Sequence, residues 1–173
     1  MTSASPQLPE LRIQTRPATL ADTPVAWLIK RASHQDAVER QFGAWDDELQ
    51  EKLFTQEWNP RQSQMITCDG TVCGWWSLVD QDDAVSIAFI GLLPRYCGQG
   101  TGSRLVRKAQ EHAAQRGVPL RLTVLKQNRA AELYRRLGFA QTGQSETHLS
   151  MTWELSQPDA DHLADVPCRQ HDG

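Results

Sequence analysis

Apolar and polar positions alternate at the start of the chain and then change period. Leu11, Ile13 and Thr15 share one face of Leu11–Arg16, which predicts a first strand. Asp22-Thr23-Pro24 follows with a helix-opening signal: Thr23 or Asp22 can serve as N-cap, and proline is tolerated in the first turn. Val25, Leu28, Ile29 and Ala32 then recur at helical spacing. A second helix is expected around Asp46–Trp58, with Leu49, Leu53 and Phe54 on one side and acids on the other, ended by Asn59-Pro60. Ser63–Cys68 and Val72–Asp80 read as two strands across the turn pair Asp69-Gly70. Ala84–Leu93 is almost continuously apolar, the pattern of a strand covered on both faces.

Leu105, Val106, Ala109 and Ala113 return to the helical period and stop at Gly117, with Pro119 beyond. Leu120–Leu125 reads as a strand, and Asn128 caps a short helix carrying Ala131, Leu133, Tyr134 and Leu137 that ends at Gly138. Two strands, about Ala140–Gln144 and Thr147–Leu155, complete the pattern. A strand–helix–strand crossover in the middle requires at least one parallel pair. The fold class is therefore mixed α/β or α+β. One domain is expected over residues 11–155, between a flexible leader at 1–10 and a disordered tail at 156–173.

Composition narrows this picture. A length of 173 residues suits one domain, and the net charge of −3 gives no reason to expect nucleic acid. No run approaches the roughly 20 apolar residues of a membrane helix, and the first ten residues lack the layout of a signal peptide. Cys68, Cys73, Cys97 and Cys168 form no CxxC pair and no zinc-finger spacing, so no metal is expected. They read as reduced, buried thiols of a cytoplasmic protein.

The chemistry concentrates in Pro94–Leu105. Gly98, Gly100 and Gly102 stand at every second position between an apolar strand and an amphipathic helix. Glycines allow positive φ and close backbone approach, and the helix presents its free N–H groups and positive dipole end there. The segment suits a phosphate or pyrophosphate, although the same glycines also make an ordinary turn.

Some twenty-five residues downstream stands Asn128-Arg129-Ala130-Ala131-Glu132-Leu133-Tyr134-Arg135-Arg136-Leu137-Gly138-Phe139. In this order the two segments resemble the GNAT superfamily of acyl-CoA-dependent N-acyltransferases. That family's motifs read Arg/Gln-x-x-Gly-x-Gly/Ala and Asn-x-x-Ala-x-x-Leu-Tyr-x-x-Leu-Gly-Phe. The resemblance covers roughly residues 11–155. It implies a GNAT fold, a mostly antiparallel mixed sheet of about seven strands flanked by four helices. It also implies that backbone N–H groups of Gly98, Gln99, Gly100, Thr101, Gly102 and Ser103 cradle the pyrophosphate of acetyl-CoA. Backbone groups of Leu92 and Leu93 would pair with the pantetheine arm, Asn128 would contact that arm from its other side, and Tyr134 would protonate the leaving thiolate.

Two departures from the family pattern matter. Cys97 replaces the usual Arg or Gln, which is expected to trim affinity because the cradle is mostly backbone. The strand before the loop contains no acid, whereas many family members place a glutamate there as general base. Either water relays the proton or the base comes from elsewhere, with Asp46, Asp47, Glu48, His34, Glu146 and His148 as candidates, each also readable as a surface residue. Trp45, Asp46, Asp47 and Glu48 could form a pocket for a cationic amine, or simply a helix start rich in acids.

The expected activity is transfer of an acetyl group from acetyl-CoA to a primary amine by direct attack in a ternary complex. The acceptor is a small molecule or a peptide amine, with no nucleic-acid or membrane partner and a homodimer compatible with the family. The rival readings are acetylation of a protein N-terminus or lysine, and a non-catalytic acyl-CoA-binding module. A P-loop or Rossmann nucleotide site is disfavoured, since the loop lacks Gly-Lys-Ser/Thr and no acid closes a following strand.

Overall fold

Residues 11–155 are described by a computed structural model of the chain. The expected leader and tail, and Cys168 with the latter, lie outside the described residues. The strands are β1 (Ile13–Pro17), β2 (Ser63–Cys68), β3 (Thr71–Asp80), β4 (Val85–Leu92), β5 (Leu120–Leu125), β6 (Ala140–Gln144) and β7 (His148–Trp153). The helices are α1 (Thr23–Phe42), α2 (Asp47–Glu57), α3 (Thr101–Arg116) and α4 (Ala130–Arg136). The strands form a 7-stranded sheet in the order β1-β2-β3-β4-β5-β7-β6. Among the described residues only β4 and β5 pair in parallel, as the α3 crossover between them requires. Asp69 and Gly70 both take positive φ, 50° and 83°, which turns β2 tightly into β3.

The two faces of the sheet carry separate cores. Beneath α1 and α2 lie Ala26, Ile29, Phe54, Met65, Trp75 and Phe89. Beneath α3 and α4 lie Trp76, Val85, Ile87, Leu105, Val106, Leu120, Tyr134 and Met151 among others. Strand alternation alone suggests that one of the adjacent Trp75 and Trp76 faces outward. Both are buried instead, because β3 is an inner strand and helices cover each of its faces. Trp75 donates its indole N–H to the Ala26 carbonyl at 3.0 Å, and Trp76 donates to Gln64 Oε1 at 3.1 Å.

α1 differs from its expected face. The buried positions are Ala26, Ile29, Lys30, Ala37 and Val38, whereas Leu28 is 60 % exposed and Ala32 is exposed. Small residues let the helix lie close to the sheet, and Lys30 buries its alkyl stem while its ammonium pairs with Glu57 of α2. On α2 the expected Leu49 is likewise exposed, and Gln50 and Phe54 face inward. Asp22 occupies the N-cap position of α1 but turns its carboxylate back to Thr19 and Arg16.

The feature that positions the site lies in the middle of β4. Its register with β3 runs Ser77↔Phe89 and then Leu78↔Ile87, so Ala88 is an extra, bulged residue. Pairing with β5 stops at the same place, at Ile87↔Leu122. A bulge kinks and overtwists its strand, so the second half of β4 splays away from β5. It also shifts the alternation: Val85 and Ile87 face α3, whereas Phe89 faces α1.

Candidate functional site

The glycine loop leaves β4 through a short turn at Pro94–Tyr96 and enters α3. Gly98 and Gly100 take φ of 74° and 79°, a region that costs an L side chain about 1 kcal/mol or more. The first α3 amide to find a carbonyl is that of Arg104, which donates to Gly100 at 3.0 Å. The N–H groups ahead of it meet no backbone carbonyl among the described residues, and no side chain caps the helix. Thr101 adds a second sign of a missing partner: its hydroxyl is fully buried and has no hydrogen-bond partner among the described residues. Orphaned donors with an orphaned hydroxyl, at the positive end of a 16-residue helix, fit a doubly charged diphosphate.

The second motif packs directly against the first. A Cβ on Gly102 would lie 3.4 Å from Leu133 Cδ2, so the start of α3 is in van der Waals reach of α4. Asn128 caps α4 through Oδ1, which accepts from Ala130 N–H at 2.9 Å, and its amide Nδ2 carries no bond among the described residues. Tyr134 follows Leu133 and is buried, its ring 5.6 Å from Phe139. Its hydroxyl has no partner among the described residues and is not sealed from solvent. Burial pushes the phenol up to about 12, so it is a proton donor throughout the neutral range.

Leu92 and Leu93 differ in direction. Leu93 N–H donates to Cys73 O at 2.8 Å, and its carbonyl accepts from Tyr96 N–H at 2.9 Å. Leu93 thus belongs to the β3 ladder, and by the antiparallel alternation Leu92 points its backbone groups the other way, into the gap that β5 has left. Cys97 is exposed rather than buried, with its thiol 3.7 Å from the Leu93 carbonyl. Partial burial raises that thiol above its ordinary value. Gln99 folds its side chain back onto the Arg95 carbonyl at 2.8 Å and so offers the cradle only its backbone.

The residues of the expected amine pocket stand together at the start of α2. Asp46 caps α2, accepting from Leu49 N–H at 3.0 Å, and Asp47 pairs with Arg31 at 3.0 Å. Trp45 packs on Trp27 with 6.2 Å between ring centroids and donates to Asp47, and Glu48 is exposed. The groove near the end of α1 is instead lined by Arg40, Phe42, Lys126, Gln127, Glu146 and Thr147 and encloses about 350 Å³. Gln41 ties this region together: it donates to the Thr147 carbonyl at 2.9 Å and accepts from Gln127 N–H at 3.2 Å. Nothing in its local pattern marks Gln41, since both partners lie more than 80 residues away.

Among the described residues no three metal-ligating side chains gather into a site, and no helix is long and apolar enough to cross a membrane.

The sequence profile of the family described as "Acetyltransferase (GNAT) family" matches residues 30–139. A curated relative, an uncharacterized N-acetyltransferase of Methanocaldococcus jannaschii, is 35 % identical over 89 residues, half of this chain. The match spans only 38 % of that relative's length. Among solved structures, the PaiA N-acetyltransferase of Thermoplasma acidophilum in complex with coenzyme A superposes with a TM-score of 0.68 at 17 % identity. That superposition covers 83 % of this chain and 99 % of that one. The ribosomal-protein-S18-alanine N-acetyltransferase of Escherichia coli gives a TM-score of 0.62 at 22 % identity, covering 87 % and 98 %. Both are likenesses of fold.

Proposed function

The chain belongs to the acetyltransferase (GNAT) family, and from that premise we propose that it transfers an acetyl group from acetyl-CoA to a primary amine. Attack is direct, within a ternary complex, and residues 11–155 form the whole acetyltransferase domain. The observation that carries this reading is the unpaired N–H run of the glycine loop, with the buried Thr101 hydroxyl, packed against the helix that holds Tyr134.

Acetyl-CoA, when bound, supplies a thioester whose carbonyl carbon is open to an amine. The chain's residues then have separate tasks. Backbone N–H groups of Gly98, Gln99, Gly100, Thr101, Gly102 and Ser103 hold the diphosphate, and the Thr101 hydroxyl gains a partner. Leu92, pointing into the gap, pairs with the extended pantetheine arm, while Leu93 keeps the strand end in place against β3. The free Nδ2 of Asn128 meets the arm from the α4 side. Tyr134, kept protonated by its burial, donates to the sulfur as the C–S bond breaks.

The amine enters from the α1 side, along the groove lined by Phe42, Lys126 and Glu146. Trp45, Asp46, Asp47 and Glu48 follow Phe42 at the start of α2, and of these four only Glu48 has no side-chain hydrogen bond or ion pair among the described residues. An open groove admits either a small amine or a peptide amine. The E. coli protein of similar fold is named for a protein alanine, which favours including peptides with alanine at the N-terminus among the acceptors tested. The test is release of free thiol from acetyl-CoA in the presence of a panel of small amines, peptide N-termini and peptide lysines. Turnover with at least one amine is expected. Tight acetyl-CoA binding without turnover on any amine would favour a binding module instead.

A further inference from the structure

α1 bridges the gap between β4 and β5, and His34 stands on its inner side. A Cβ on Gly91 would lie 2.7 Å from Ser33 Oγ, so α1 touches the β4 backbone there. The His34 ring stacks on Phe89 at 4.8 Å between centroids and 22° between planes. Gln41, two turns and about 10 Å further along, reaches the ends of β5 and β7 at Gln127 and Thr147. His34 therefore lies against the splayed half of β4, on the face opposite α3 and the glycine loop. The bulge at Ala88 is what turns Phe89 to that face.

Ser33 Oγ lies 3.3 Å from the Lys30 carbonyl and 2.7 Å from His34 Nδ1, where either Oγ–H or Nδ1–H can be the donor. When the hydroxyl proton goes to the carbonyl, Nδ1–H donates to Oγ and Nε2 carries the lone pair, and Nε2 has no hydrogen-bond partner among the described residues. The groups around it are few. Lys30 lies one turn earlier with its ammonium paired to Glu57 of α2. β4 and β3 present Phe89 and Trp75, and no residue of β4 is charged. Burial, with the Lys30 charge second, lowers the imidazole to about 4 and keeps it neutral at working pH.

We propose that His34 Nε2 takes the proton of the attacking amine, the task for which β4 supplies no carboxylate. The proposal rests on the acetyl-transfer reading above. The lone pair of the neutral amine forms the C–N bond to the thioester carbonyl carbon, which leaves the nitrogen positively charged and far more acidic than the free ammonium. That nitrogen passes its proton to Nε2, the C–S bond breaks with its electron pair on sulfur, and the sulfur is protonated from Tyr134. The imidazolium returns its proton to water and Tyr134 regains one. Ser33 acts as a positioning residue, through the tautomer.

The test compares wild type, His34→Gln and Ser33→Ala for kcat, for amine KM and for CoA affinity. It adds the ¹⁵N spectrum of the His34 ring. His34→Gln is expected to lower kcat about 10²-fold with CoA affinity unchanged. Ser33→Ala is expected to lower kcat several-fold and to shift the ring from the Nδ1-protonated form toward a mixture. A wild-type ring protonated at Nε2 would overturn the proposal even if His34→Gln fails to fold. Wild-type turnover retained in a folded His34→Gln overturns it too, while leaving the acetyl-transfer reading intact. Absence of thiol release by the wild type with every amine overturns that reading itself, and this proposal with it.

Discussion

At Tyr134 and Thr101 the proposed function rests on unsatisfied groups. Tyr134 is buried among apolar neighbours, yet its hydroxyl bonds to no protein atom among the described residues. Tyr134→Phe should therefore leave the fold and CoA affinity nearly unchanged while lowering turnover about 10²-fold. Steady-state kinetics with calorimetric CoA titration would show it, and unchanged turnover would remove the proton-donor role. Thr101 gives the converse experiment. A buried hydroxyl without a partner costs about 1–3 kcal/mol, and Val has nearly the same shape. Thr101→Val should raise the stability of the ligand-free chain by about 1 kcal/mol and weaken CoA binding about tenfold. Denaturant unfolding and titration read the two effects separately. The tyrosine was legible in the chain because a helical motif carries it. The thirst of the Thr101 hydroxyl was not, since only packing reveals which polar atoms lose water.

Glycines set how closely the elements meet. Gly91 lets α1 rest on β4, where a Cβ would stand 2.7 Å from Ser33 Oγ and 2.8 Å from Phe89 Cζ. Gly91→Ala should force α1 outward and cost about 1–3 kcal/mol, as overpacking does. Urea unfolding measures that loss, and a neutral result would mean that Ser33 and Phe89 can turn aside freely. The glycine loop was recognisable from spacing because positive φ at Gly98 and Gly100 is a local backbone demand. The β4 bulge was invisible. Ala84–Leu93 is apolar throughout, so moving one residue out of register changes nothing in its hydropathy, although it reverses which face Phe89 presents. The outward Leu28 and Leu49 have a similar origin. An apolar stripe on a helix can be rotated by a turn position, and only the shape of the sheet beneath selects the side that is buried.

Across the whole molecule, the proposed donor site draws on the end of β4, the start of α3 and the inner face of α4, none of which has that geometry in an unfolded chain. Coenzyme A should thus bind the native state alone. At about one hundred times its dissociation constant it should add about 2.7 kcal/mol of stability, seen as a concentration-dependent rise in melting temperature. A melting temperature indifferent to CoA would count against the cradle. The order of elements, the parallel crossover and the two motifs could all be read from the chain, because strand and helix periods, glycine conformations and capping residues act within a few bonds of one another. Folding alone settled the rest. It covered both faces of β3 and so buried both tryptophans, and it opened β4 from β5 at Ala88. It also employed Asp46 and Asp47 in a cap and an ion pair, and brought His34 of α1 against a strand more than fifty residues away. These outcomes depend on which surfaces meet across long sequence separations, and no local pattern of residues encodes that meeting.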